Sequence, residues 1–150
     1  MLNAPNLKSV LFGKDVVTFC GLSIAPKLEE VRFATDMPNI DLNVYAGLNA
    51  IIYLPKSVTN IKDSSSNYVV NENSDEITIN TSNYNTYLYV PKGTKLNLIT
   101  PNYGSVYNVY IYTDATETPT NWTISGYGNI FYTYNSNVYE FAAAVKARTK

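Results

Sequence analysis

The chain has 150 residues, 45% of them hydrophobic, 15% charged and 13% aromatic, with a formal net charge of -1, and a chain of that length buries roughly 68–70% of the surface its unfolded form exposes. One cysteine and no histidine exclude a His-dependent triad, a Cys/His zinc site and an internal disulfide framework, so no catalytic residues, no metal and no cofactor are expected. Near-neutral charge without a Lys/Arg block argues against nucleic acid as a partner.

At the start, MLNAPNLKSV has no basic segment leading into an apolar stretch of roughly 7–15 residues, so a secretory signal is not expected. Cys20 follows Val16-Val17-Thr18-Phe19 and reads as a small buried hydrophobe, because no nearby basic residue lowers its pKa. The densest apolar run, Ala50-Ile51-Ile52-Tyr53-Leu54, falls far short of the roughly 20 residues that span a bilayer, and no membrane insertion is expected. Nineteen Asn and fourteen Tyr, with abundant Thr and Ser, give a composition associated with extracellular surfaces and virion shells.

Repetition dominates the first part of the chain. APNLKSVLF at residues 4–12 returns as APKLEEVRF at residues 25–33, and Ala46-Gly47-Leu48-Asn49-Ala50-Ile51-Ile52-Tyr53-Leu54 keeps the alanine and the apolar positions at the same 21-residue spacing. NAIIYLPKS at residues 49–57 returns as NTYLYVPKG at residues 85–93. Each unit reads as a short strand with Leu, Val and Phe facing a common interior, stopped by a proline. Such units bury their apolar face only against their neighbours, as in a solenoid. Short strands with Gly/Pro turns also fit a β-sandwich. Leu28-Glu29-Glu30-Val31-Arg32-Phe33, the run from Ile52-Tyr53-Leu54-Pro55-Lys56-Ser57 to Ile61, and Leu88-Tyr89-Val90-Pro91-Lys92-Gly93-Thr94 resemble the BspA-type leucine-rich repeats of Bacteroides surface proteins, over about residues 1–95. The resemblance implies leucine-rich-repeat-like units and a setting among such bacteria and their phages.

Residues 63–75 are polar and turn-rich, with a short strand expected at Tyr68-Val69-Val70, and Glu76-Ile77-Thr78-Ile79-Asn80 alternates as a half-buried strand does. From 96 to 139 only Asp114 and Glu117 are charged, and strands are expected at 96–100, 106–113, 122–125 and 129–134. In Tyr107-Asn108-Val109-Tyr110-Ile111-Tyr112 both faces carry tyrosine or apolar side chains, so this strand is expected to be covered on both sides. Gly126-Tyr127-Gly128 reads as a hairpin turn. Residues 140–148, rich in alanine and ending in Lys and Arg, predict the one helix, with Phe141 and Val145 on a shared face. The expected fold is therefore mainly β in a single 1–150 domain, with a repeat-like part (1–95), Tyr/Asn-rich strands (96–139) and a short C-terminal helix (140–150).

No constellation for chemistry stands out. Glu29-Glu30 and Asp75-Glu76 are adjacent pairs, which a strand points to opposite faces. Asp36, Asp41 and Asp63 are too scattered for a calcium loop. The residues expected to bind are aromatic: Tyr103, Tyr107, Tyr110, Tyr112, Trp122, Tyr127 and Tyr132, with Tyr134 and Tyr139 beside them. Tyrosine offers large contact area at low entropic cost together with a hydroxyl for a partner. The reading is a non-enzymatic structural, fibre or attachment protein of a bacteriophage virion, whose partners are further copies of itself or other virion proteins. The alternative is a bacterial cell-surface, extracellular adhesin or carbohydrate-binding module that engages a host surface glycan.

Overall fold

The computed structural model describes residues 5–13, 27–34, 39–41, 50–63, 68–82, 85–102 and 107–148. Their elements are β1 (Ser9–Phe12), β2 (Glu30–Phe33), β3 (Asn39–Asp41), β4 (Ile51–Tyr53), β5 (Asn60–Asp63), β6 (Tyr68–Val70), β7 (Glu76–Thr81), β8 (Asn85–Tyr89), β9 (Lys95–Ile99), β10 (Asn108–Tyr112), β11 (Thr123–Ser125), β12 (Asn129–Thr133) and helix α1 (Val138–Arg148). One sheet runs β1-β2-β4-β6-β8-β10-β12 and the other β11-β9-β7-β5-β3. All of their pairings are parallel. From β2 onward the chain alternates between the two sheets and rises one strand per turn. This is a β-solenoid of stacked coils; of the two packings compatible with the sequence pattern, the stacked repeat is the one found.

The sequence echoes are the stacking register. Phe12 lies beside Phe33 and Val10 beside Val31, and Val31 lies beside Ile52, so the 21-residue repeat is one coil. The echo between residues 49–57 and 85–93 spans two coils, because Ile52 pairs with Val69 and Val69 with Leu88. From β2 to β11 each coil contributes two strands rather than the single strand read from the sequence. Asn60–Asp63, the second strand of its coil, is short and flanked by Thr59 and Ser64, which hides it.

Alternation along the strands then fixes the core. In the seven-stranded sheet Val31, Ile52, Val69, Leu88 and Ile111 form an inward row, and in the five-stranded sheet Ile61, Ile79 and Leu98 face them. All are essentially fully buried, and each contributes about 1.5–3 kcal/mol by leaving water. At the last coil the row ends on Tyr132, and Ile130 lies inward beside Val109; both pack against the core but are only partly buried.

The outer face of the seven-stranded sheet is also apolar. Helix α1 lies over it, burying Phe141 and Val145 against Ile51, Val70, Tyr87 and Tyr89. The helix begins at Val138, two residues before the expected start, because Asn137 caps it: its Oδ1 accepts the Glu140 N–H at 2.9 Å, and its Nδ2 donates to the Glu140 carboxylate at 3.2 Å. Phe141 meets the last residues of β8 and β10, whereas Arg148 lies over Tyr87 and Lys146 approaches Glu29. The helix thus runs opposite to the strands.

The Gly126-Tyr127-Gly128 turn is not a hairpin. It links β11, which pairs with β9, to β12, which pairs with β10 in the other sheet, so it is a corner of the solenoid. Thr100 in the coil below holds it: the Thr100 hydroxyl donates to Ser125 O and accepts the Gly128 N–H, both at 2.9 Å.

Candidate interface site

The structure distributes the aromatic set over three environments. Tyr107 and Trp122 are buried within the chain, and the Trp122 indole N–H donates to Thr94 O at 2.7 Å. Tyr110 and Tyr112 lie on the outer face of β10. Tyr112 meets the Phe141 ring edge-on at 5.3 Å, so its own helix covers that part of the strand, while Val109 and Ile111 face the core. β10 is thus covered on both sides, as expected from its sequence. Tyr127 is 76% exposed at the tip of its corner, and Tyr132 is half-buried at the end of the inward row. Tyr103 lies outside the described residues, as does Cys20.

Parallel register turns the outward tyrosines into a ladder. Ile51, Tyr68, Tyr87, Tyr110 and Phe131 occupy one row across five strands. Tyr87 and Tyr110 stack with centroids 4.6 Å apart and Tyr110 and Phe131 at 5.1 Å, close to the strand spacing. Packing in these rows raises phenol pKa values: burial pushes Tyr87 up against the opposing pull of Arg148, and burial likewise pushes Tyr53 and Tyr89 above the ordinary phenol value. The ladder emerges at Phe131, which is 49% exposed. The sequence reading passed over Tyr68, Tyr87 and Phe131, whose shared row depends on coil lengths of unequal size.

Phe131 belongs to β12, the last strand of its sheet. Asn129 donates its N–H to Tyr107 O and Thr133 O accepts from Thr113, so by alternation the main-chain groups of Ile130 and Tyr132 face the outer edge. At the other end of this sheet, Lys8 O and Phe12 O accept from β2 and Ala34, which turns the main-chain groups of Ser9 and Leu11 to the opposite edge.

The strand ends and the start of α1 leave a groove lined by Arg32, Tyr53 and Glu72. These residues come from three successive coils and no sequence motif joins them. No protein-family model matches the chain, and no curated protein or solved structure matches it.

Proposed function

We propose that the chain is a non-enzymatic structural or attachment protein of a bacteriophage virion that acts through contacts between subunits. The observation that carries this reading is the edge of β12. Its five residues, Asn-Ile-Phe-Tyr-Thr, include no lysine, no proline and no inward charge, the devices by which proteins usually blunt a sheet edge. Core side chains stand half-buried behind that edge, and the whole 96–139 stretch carries only two charges.

The occupant that fits is a second copy. Its β1 offers Ser9 and Leu11 main-chain groups where β12 offers those of Ile130 and Tyr132, the same relation that joins each strand to the next within the coil stack. Such a contact is heterologous, head to tail, and builds a ring or an open fibre. The composition and the resemblance of residues 1–95 to repeats of Bacteroides proteins support a phage of such hosts.

Light scattering behind size exclusion over a range of concentrations tests this. Multiples of the 16.7 kDa chain mass that collapse to the monomer in Phe131→Lys and Ile130→Pro variants are expected. A wild-type chain that stays monomeric at every concentration overturns head-to-tail assembly. The second reading, a bacterial cell-surface adhesin or carbohydrate-binding module, draws support from Tyr139, which is 86% exposed and lies away from that edge.

A further inference from the structure

The outward row that contains Leu11, Tyr53, Val70, Tyr89 and Tyr112 is broken in one place by a charge, Arg32, which follows from the pairing of Glu30 with Ile51. Its guanidinium lies 3.7 Å over the Tyr53 ring and its Nε forms an ion pair with the Glu30 carboxylate at 3.5 Å. Among the described residues the two Nη groups have no partner.

A second departure sits two coils higher. Tyr53 pairs with Val70 and Val70 with Tyr89, so Glu72 stands where the coils below and above place Pro55 and Pro91. Glu72 is exposed and its carboxylate forms no ion pair or hydrogen bond among the described residues. Arg32 and Glu72 line the same groove, yet they do not pair with each other.

That groove consists of two adjoining hollows of about 280 and 150 Å³ which share Arg32, Tyr53 and Glu72. Together they reach the lower end of the range for small-ligand sites, about 300–1,000 Å³. The larger hollow extends to Asn137 and Tyr139 at the start of α1, and the smaller to Leu11 and Lys56. The described residues include four large exposed apolar side chains, Leu11, Tyr127, Phe131 and Tyr139, and two of them stand at opposite ends of this groove. Tyr139 has no packing role to account for it, at 86% exposure.

We infer that this groove is a binding site for a neutral oligosaccharide. Arg32 and Lys56 are balanced by Glu30 and Glu72, so the groove favours neither an anion nor a cation. What it offers is planar polar groups, a guanidinium and a carboxylate, suited to pairs of adjacent hydroxyls. The exposed aromatic face of Tyr139 suits the apolar C–H face of a sugar ring. Arg32 is held between the Tyr53 ring and the Glu30 carboxylate and so is preorganised, which lowers the entropy lost on binding. The site lies away from the β12 edge, and the inference holds whether the chain assembles or not.

Saturation-transfer NMR of the full chain with neutral di- to tetrasaccharides of glucose, galactose, mannose and N-acetylglucosamine tests it, with sialylated and sulfated sugars alongside. Transfer to at least one neutral member is expected. Tyr139→Ala and Glu72→Gln should each weaken that binding about tenfold or more, with the melting temperature of Tyr139→Ala unchanged because that side chain is exposed. No transfer to any neutral sugar at millimolar concentration overturns the inference. So does binding confined to the anionic sugars, or neutral-sugar binding that neither variant weakens.

Discussion

Gly126 has a backbone φ of +92°, and a Cβ placed on it would stand 2.0 Å from the carbonyl oxygen of Thr100. Both facts come from the same cause: the chain turns from one sheet to the other against the coil beneath, and Thr100 uses its hydroxyl to bond that turn at Ser125 and Gly128. Neither the left-handed conformation nor the close approach leaves room for a side chain. Gly126→Ala should therefore cost roughly 3 kcal/mol or more. Gly128→Ala should cost less, since its nearest neighbour is the Thr100 side chain at 2.8 Å rather than a main-chain carbonyl at 2.0 Å. Urea unfolding of the two variants checks this order, and equal midpoints for Gly126→Ala and wild type would show that the turn relaxes freely. A comparable dependence on single side chains holds at the other corner, where the chain passes from β6 to β7 and from β8 to β9: Asn71 donates to Thr94 Oγ1 at 3.2 Å and Thr94 Oγ1 donates to Ser74 O at 2.9 Å. These buried bonds satisfy polar groups that the tight corners bring inside.

Helix α1 is the element whose removal would change the molecule most, because it covers an outer sheet face that is otherwise tyrosine, valine and isoleucine. Phe141 is fully buried and contacts Tyr89 and Tyr112 on neighbouring strands. Truncating it in Phe141→Ala should cost about 3–5 kcal/mol, whereas breaking the exposed ion pair of Lys146 with Glu29 should cost at most about 1 kcal/mol. Thermal or urea unfolding separates the two, and an effect of Phe141→Ala no larger than that of Lys146→Ala would mean the helix is not seated on the sheet. The tyrosine rows under and beside this helix also set an alkaline limit. Burial raises the phenol pKa of Tyr53, Tyr87 and Tyr89 on that outer face, and of Tyr132 at the end of the inward row. Above the ordinary value of about 10 the unfolded chain loses these protons while the folded chain keeps them. Their contribution to stability is thus complete below about pH 10 and lost as pH rises through the folded values. Unfolding free energies that stay flat across that range would contradict this assignment, and the phenolate absorbance of the folded chain should rise later than that of the denatured chain. The helix and most strand positions were legible in the sequence because their periodicity is local, as in Glu76-Ile77-Thr78-Ile79-Asn80. The stacking was legible where the residues of the strand repeat, as between Phe12 and Phe33 one coil apart and between Ile52 and Leu88 two coils apart. The groove was not legible, since Arg32, Tyr53 and Glu72 meet only through the register of three unequal coils, and the outer ladder from Tyr68 to Phe131 is hidden for the same reason.

In a stack of coils each turn is stabilised by its neighbours above and below, so stability at an end depends on what lies beyond it. β8 and β10 have a strand on both sides, whereas β12 has β10 on one side only. Its inward residues Ile130 and Tyr132 are correspondingly less buried than Leu88 and Ile111 in the same sheet. The monomer should therefore fray from β12 while the middle coils exchange only by wider unfolding. Ile130 and Tyr132 supply the sharpest reading of this, because their amides face the outer edge and have no partner strand in the monomer, whereas the amide of Asn129 is bonded to Tyr107 O at 2.7 Å. Hydrogen exchange in dilute solution should show the first two amides unprotected and Asn129 more protected. If a second copy supplies β1 as the next strand, protection at Ile130 and Tyr132 should rise with protein concentration and should appear together with protection of the Ser9 and Leu11 amides at the far end of the sheet. That pairing of two distant segments distinguishes a head-to-tail contact from nonspecific association through Phe131 or Tyr127, which would leave the edge amides exchanging as before. Protection of Ile130 and Tyr132 that is already complete in dilute monomer would mean that the edge is closed within the chain itself, and the head-to-tail contact would then have no strand to extend.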